Sequence, residues 1–315
     1  MIQAAAIDVG SNGIRMLVAS ADDQGHPTSV ESYREAVRIG QDVFRFGHIG
    51  PETLQRAVDA LTHFRRIIDD EGVACVRAVA TSATREAENG NELVRAVQDA
   101  TDIRLEVIDG LEEASLIFAA VKREMNLDKG RSVLVDMGGG SVEVTIARKG
   151  RPLASDSLPL GPVRLLHQLA AEGYDESDTK KLVKPMTRKI RKLVRSEIKG
   201  KPQLCIATGG NPDCLGLLRK KLLGKKKKSK LTRKNLKRLI KTLGPMPIEQ
   251  RIGSLDLRPD RADLIVIAAH VMRRAMKEVG ARKVKLPRVS LREGLMTRLA
   301  RNVHLKGTSS RFHIR

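Results

Sequence analysis

Tryptophan is missing from this 315-residue chain, and only two Tyr and five Phe are present. No Phe, Tyr or Trp occurs from Asp175 to Arg311. Proteins that bind single-stranded nucleic acid stack bases on such rings, so this long stretch is poorly equipped to read bases, though backbone contacts stay open. Cysteine is scarce too. Cys75, Cys205 and Cys214 are scattered without a Cys-x-x-Cys pair, so neither a disulfide framework nor a zinc site is indicated and they read as reduced, mostly buried thiols. No run of 18 or more apolar residues appears, and Met1-Ile2-Gln3-Ala4-Ala5 lacks the basic start of a signal peptide. The expectation is a cytoplasmic protein with no membrane partner. Neither Gly-x-x-x-x-Gly-Lys-[Ser/Thr] nor Gly-x-Gly-x-x-Gly occurs, which disfavours P-loop and Rossmann nucleotide binding. The seven histidines form no metal-binding pair, and His63, His167 and His270 sit inside apolar helical patterns.

Charge is abundant and lopsided. Residues 1–150 hold 17 Lys+Arg against 24 Asp+Glu, whereas residues 151–315 hold 41 against 13, for a total net charge of +21. A half-chain netting +28 attracts polyanions. From Arg219 to Lys241 there is no acid, and Lys225, Lys226, Lys227 and Lys228 lie at the centre. That run reads either as a solvated loop or as a track for a phosphate chain.

The chain also repeats itself. Ile7-Asp8-Val9-Gly10-Ser11-Asn12-Gly13 aligns without a gap on Val135-Asp136-Met137-Gly138-Gly139-Gly140-Ser141, and the apolar strand that follows aligns too. Each copy reads as strand, Asp, small-residue turn, strand. Turns without side chains expose N–H groups that can converge on an anion, and an Asp at the strand end can hold a divalent cation. Two such turns facing each other would grip a phosphate chain from both sides.

Between the repeats, residues 29–34 read as a strand. Pro51 to Glu71 reads as a helix with Leu54, Ala57, Val58, Leu61, Phe64 and Ile68 on one face. Residues 73–80 and 103–108 read as strands and 91–100 as a short helix. Asp109-Gly110-Leu111-Glu112 is a capping-box pattern opening a helix over 113–125. Polar Asp128-Lys129-Gly130 marks a domain boundary. The second half repeats the plan with longer helices over 176–199 and 261–279, and a buried strand over 204–207 runs into Thr208-Gly209-Gly210-Asn211, a ligand-facing turn.

Seven motifs in order carry a family resemblance. They are Asp8-Val9-Gly10-Ser11-Asn12, Thr81-Ser82-Ala83-Thr84-Arg85-Glu86-Ala87, Gly110-Leu111-Glu112-Glu113-Ala114, Asp136 to Glu143, Leu160-Gly161-Pro162-Val163-Arg164-Leu165, Arg261-Ala262-Asp263 and Leu291-Arg292-Glu293-Gly294. Together they resemble the exopolyphosphatase / guanosine pentaphosphate phosphohydrolase family of the actin-like superfamily. The resemblance implies an α/β fold of two ribonuclease-H-like domains flanking a central cleft. The first would comprise residues 1–128 plus about 296–315, and the second residues 129–295. The chain departs from the family at Thr208-Gly209-Gly210-Asn211-Pro212, where a Gly-Thr-x-Gly-Thr pattern is usual. It resembles the short family form, and it has no His-Asp dipeptide of the kind a metal-dependent phosphohydrolase domain needs.

By the same resemblance Asp136 and Glu143 would hold Mg²⁺, with Asp8 nearby through water, and a monovalent cation such as K⁺ is left open. Glu113 would be the general base, since Glu112 fills the capping-box position. Arg85 would clamp phosphate, its fork of donors matching two phosphoryl oxygens. Phosphate-binding groups would be Gly10, Ser11, Asn12, Thr81, Ser82, Gly138, Gly139, Gly140, Ser141, Thr208, Gly209 and Gly210, with Lys225 to Lys228 along the tail. A strand alternation would equally turn Glu143 outward, and Arg85 beside Glu86 and Glu88 would equally be a surface ion pair. The activity expected is Mg²⁺-dependent release of terminal phosphate from inorganic polyphosphate. The alternatives are a guanosine pentaphosphate 5′-phosphohydrolase and a non-catalytic actin-like ATP-binding protein. A homodimer is allowed, and nucleic acid is disfavoured as a partner.

Overall fold

Each of the repeated apolar runs becomes the central strand from which a sheet grows. The computed structural model describes residues 2–21, 27–224 and 229–305. The chain divides into two units, one of Met1–Ala120 with Ser290–Arg315 and one of Val121–Val289.

In the first unit β1 (Ile2–Gly10) turns through Ser11 and Asn12 into antiparallel β2 (Gly13–Ala21), which pairs with β3 (Pro27–Glu35). After helices α1 (Ile39–Phe46) and α2 (Pro51–Asp70), β4 (Cys75–Ala80) lies parallel to β1. Helices α3 (Ser82–Glu86) and α4 (Gly90–Thr101) lead to β5 (Leu105–Val107), and α5 (Gly110–Glu124) follows. The sheet order is β3-β2-β1-β4-β5. Ala5, Ala6 and Ile7 of β1 are fully buried, because a central strand covered on both faces tolerates no polar alternation. The expected face of α2 is the buried one: Ala57, Leu61, Phe64 and Ile68 all pack into the core.

The second unit repeats this topology. β6 (Arg131–Met137), β7 (Val142–Arg148) and β8 (Arg151–Leu158) form an antiparallel meander. β7 and β8 are joined by Lys149 and Gly150, with φ of 49° and 69°, the left-handed pair that a two-residue hairpin requires. Then come α6 (Pro162–Ala171), α7 (Thr179–Met186), α8 (Arg188–Glu197), β9 (Leu204–Thr208) parallel to β6, and α9 (Gly210–Leu223). β10 (Lys230–Thr232), α10 (Arg233–Leu243), α11 (Ile248–Leu255), α12 (Pro259–Ala262), α13 (Ile265–Glu278) and β11 (Lys283–Lys285) complete it. The order is β10-β11-β9-β6-β7-β8, so β6 to β8 and β9 match β1 to β3 and β4.

Two expected long helices are broken. The segment 176–199 becomes a 3₁₀ turn (Glu176–Asp178) followed by α7 and α8, because Pro185 has no N–H to give and Thr187 donates its hydroxyl back to the Val183 carbonyl at 2.9 Å. The segment 261–279 splits between α12 and α13. Arg251 Nη1 donates to the Ala262 carbonyl at 2.9 Å, occupying an acceptor that a continuous helix would use.

The last described element, α14 (Leu291–Leu305), belongs to the first unit. Glu293 Oε2 accepts from the Ser290 N–H at 2.7 Å and the Ser290 hydroxyl at 2.6 Å, a cap for this helix. Gly294 lets α14 approach α5, since a Cβ there would lie 2.3 Å from the Leu116 carbonyl oxygen.

Candidate active site

The second hairpin places four polar residues in one row across four strands. Asp136 on β6 pairs with Glu143 on β7, Glu143 with Ser157 on β8, and Asp136 with Thr208 on β9. Directly opposed residues in a ladder point to the same face. Asp136 and Glu143 are 6% and 1% exposed, and their carboxylate oxygens come within 4.8 Å of each other. Glu143 is therefore not an outward strand residue. Ser157 Oγ donates to Glu143 Oε1 at 2.7 Å, and the Thr208 hydroxyl donates to Asp136 Oδ1, so both outer members of the row fix an inner carboxylate. Two carboxylates brought this close repel unless a cation lies between them. The donors are hard oxygens held by neighbours, and they fit a divalent cation.

The turn beyond these carboxylates is held from behind by the motif at the start of α6. The Gly139 carbonyl accepts from Val163 N–H at 2.9 Å, and the Gly140 carbonyl accepts from Gly161 N–H at 3.1 Å and Arg164 Nε at 2.9 Å. Gly161 is needed for this approach, because a Cβ there would sit 2.2 Å from the Gly139 oxygen. With the carbonyls so engaged, the N–H groups of Gly139 and Gly140 donate to no backbone carbonyl among the described residues. This is the arrangement an anion-binding turn requires.

In the first unit Asp8 and Arg15 face each other across the β1–β2 ladder, with Arg15 Nη1 3.8 Å from Asp8 Oδ2. Burial raises the Asp8 carboxyl above its ordinary range, Arg15 and Arg292 act against that rise, and Glu293 adds to it. Ser11 and Asn12 form the turn and are buried, and the Ser11 carbonyl accepts from Gly40 N–H at 2.9 Å.

The two carboxylates at the start of α5 have different surroundings. Asp109 caps the helix, its Oδ1 accepting from the N–H groups of Leu111 and Glu112. Glu112 is engaged by Arg77 at 3.0 Å and Arg298 at 3.2 Å, a structural ion-pair cluster in place of a reciprocal cap. Glu113 points inward and is 6% exposed. Arg85 is half-buried, and its Nη1 donates to the Ile108 carbonyl at 2.7 Å, which fixes the guanidinium plane and is not the surface ion pair with Glu86 or Glu88. Ser82 donates its hydroxyl to Glu86 at 2.8 Å, and Thr81 is buried beside it.

The third glycine segment, expected as a ligand-facing turn, is a strand-to-helix junction. Thr208 ends β9, Gly209 precedes α9 with φ 103°, and α9 begins at Gly210. A Cβ at Gly209 would lie 2.3 Å from the Met137 carbonyl oxygen, which explains the glycine by packing against β6. Asn211 accepts from Arg261 Nη1, tying the junction to the Arg261-Ala262-Asp263 motif. Lys225, Lys226, Lys227 and Lys228 lie outside the described residues. The contacts of Ser157 and Arg15 escaped the sequence reading; counting back from the Ser11-Asn12 turn sets Arg15 opposite Asp8, whereas the bulge between Ile146 and Ala147 shifts the β7–β8 register, so no count along the chain finds Ser157 opposite Glu143.

A model of the Ppx/GppA phosphatase family matches residues 17–303. The chain belongs to this family. Exopolyphosphatase 1 of Mycobacterium leprae is 31% identical over 304 residues, spanning 93% of this chain and 88% of the relative. An exopolyphosphatase structure from Cytophaga hutchinsonii superposes with a TM-score of 0.85 at 25% identity, covering 96% of this chain and 98% of that one. A Ppx/GppA member from Aquifex aeolicus superposes with a TM-score of 0.77 at 23% identity, over 96% of this chain and 98% of that chain. The fold is the two-domain α/β architecture of these actin-like proteins, and a Ppx/GppA phosphatase is a phosphoanhydride hydrolase. Among the described residues no helix is long and apolar enough to cross a membrane.

Proposed function

We propose that this Ppx/GppA phosphatase is a Mg²⁺-dependent exopolyphosphatase that removes terminal phosphate from inorganic polyphosphate. The observation that carries the reading is the row of Thr208, Asp136, Glu143 and Ser157, which holds two buried carboxylates behind a glycine turn with available amides. The relatives named exopolyphosphatase support it. A divalent cation bound by Asp136 and Glu143 would neutralise charge on phosphoryl oxygens. The amides of Gly139 and Gly140 donate to the same kind of oxygen, and Arg85, anchored on Ile108, offers its remaining N–H groups to another. Glu113 accepts the proton of the attacking water. Its burial separates it from Glu112, whose charge is already balanced by two arginines.

Guanosine pentaphosphate offers the same anhydride chemistry on a short substrate. The basic half-chain, with 41 Lys+Arg and no Phe, Tyr or Trp from Asp175 to Arg311 on which guanine could stack, favours the long chain. The test is phosphate release by the purified protein from polyphosphate and from guanosine pentaphosphate, with and without Mg²⁺. Release from polyphosphate that stops on chelation is expected; faster release from the guanosine substrate, or release indifferent to chelation, contradicts the proposal.

A further inference from the structure

The second unit carries a strongly basic groove that shares no residue with the carboxylate row. Helices α7, α10 and α13 enclose a cavity of about 600 Å³. Lys180 and Lys184 reach it from α7 and Lys234 and Lys237 from α10, at spacings of four and three that keep each pair on one helical face. Arg233 adds a cation at the start of α10, Arg273, Arg274 and Lys277 of α13 form the third wall, and Val183 and His270 are buried at its base.

No carboxylate lines this groove. Acids on nearby elements are engaged elsewhere: Glu278 with Arg274 at 2.6 Å and Arg191 at 2.5 Å, Asp178 with Lys181 at 2.9 Å, and Glu176 with Arg251 at 2.6 Å. Of the groove's cations Arg274 alone is held by an acid, Glu278; among the described residues the other seven form no ion pair. Burial, aided by Lys180 and Arg273, pushes the His270 pKa down to about 4, so at neutral pH its imidazole is an uncharged hydrogen-bonding group. Seven unpaired like charges around one cavity repel one another and weaken the fold unless an anion is bound there.

We infer that this groove binds a stretch of linear polyphosphate apart from the site of hydrolysis, an inference that rests on the exopolyphosphatase reading. Three features select this polyanion. Its walls come from three helices, so contacts extend along a chain and do not converge on a single phosphate. Five of the eight cations lining it are lysines, compact hydrated point charges that impose no fixed bidentate geometry and let a chain slide. No Phe, Tyr or Trp lines the groove and its one imidazole, His270, is buried, so a nucleic acid would find no exposed platform for base stacking. The groove retains long chains between successive cleavages, and short phosphates gain nothing from it.

The experiment compares two variants of equal charge loss. K184Q/K234Q/K237Q/K277Q removes four of the eight cations that line the groove, and K189Q/K192Q/K199Q/K201Q removes four exposed lysines elsewhere in the same unit. Binding of end-labelled long-chain polyphosphate is measured by fluorescence anisotropy in EDTA, where chelation prevents turnover, and release of phosphate from tripolyphosphate is measured separately with Mg²⁺. The groove variant is expected to bind long chains about tenfold more weakly, or worse, near 0.1 M salt with a shallower salt dependence. Its tripolyphosphate turnover should match wild type, which also reports an intact fold, and the control variant should bind nearly as wild type does. Equal weakening in both variants, or unchanged binding in the groove variant, overturns the inference. So does loss of single-stranded RNA binding with polyphosphate binding intact, which would make the groove a nucleic-acid site. A protein that binds polyphosphate through the groove yet releases no phosphate would refute the exopolyphosphatase reading while leaving the groove in place.

Discussion

At the scale of single residues, the two carboxylates of α5 divide structural and chemical roles. Glu112 is held by Arg77 and Arg298, whereas Glu113 is buried. Glu113→Gln keeps size and removes the proton acceptor, so kcat on polyphosphate should fall by about 10²- to 10⁴-fold with binding nearly unchanged. Wild-type kcat in this variant would remove Glu113 from the mechanism. Asp136→Asn should raise the Mg²⁺ concentration needed for half-maximal rate by roughly tenfold or more, since an amide is a poorer ligand for a hard dication; an unchanged Mg²⁺ titration would refute that role. His270 gives a pH prediction of definite sign. Its folded pKa, about 4, lies below the ordinary 6.5, so the unfolded chain binds more protons across that window. Stability from this group is therefore present above pH 6.5 and lost as pH falls through 4, by up to roughly 3 kcal/mol. The wild-type melting temperature should drop more steeply between pH 6.5 and 4 than that of His270→Gln, and parallel curves would contradict the assignment.

At the scale of elements, local signals were legible and long-range ones were not. The duplicated hairpins and the buried face of α2 follow from turn residues and periodicity within a few residues, and both stand in the structure. The break between α12 and α13 depends on Arg251, and the setting of Asp136 depends on Thr208, 72 positions away in sequence. No pattern along the chain announces such contacts. The basic groove was hidden for the same reason: its lysines sit at unremarkable spacings on three helices, and only packing brings them together. The lysine run drew the eye in the sequence because its charges are consecutive. The Leu-Gly-Pro-Val-Arg motif was legible as a pattern but not as a device, since its role is to hold the carbonyls of a turn made some twenty residues earlier. Gly161→Ala would drive a Cβ to within 2.2 Å of the Gly139 oxygen. It should cost about 2 kcal/mol or more in urea unfolding and lower kcat as the turn shifts. An alanine variant as stable and active as wild type would show that the turn does not rely on α6.

At the scale of the whole molecule, one topology is used twice and then given different charge. Residues 1–150 are net acidic and residues 151–315 strongly basic, although both sheets begin with the same meander and parallel addition. The shared part holds the Asp-and-turn hairpins. The divergent part adds α7, α10 and α13 with their cations, which is where a preference for long polyanions would reside. End-wise hydrolysis of polyphosphate is the central claim, and the product distribution tests it most directly. Long-chain polyphosphate is incubated with the wild-type protein and Mg²⁺, and chain lengths are resolved by electrophoresis while orthophosphate is assayed. The account predicts that orthophosphate accumulates from the outset, with no burst of fragments of intermediate length. Early intermediate fragments without orthophosphate would mean cutting within the chain, and would contradict it.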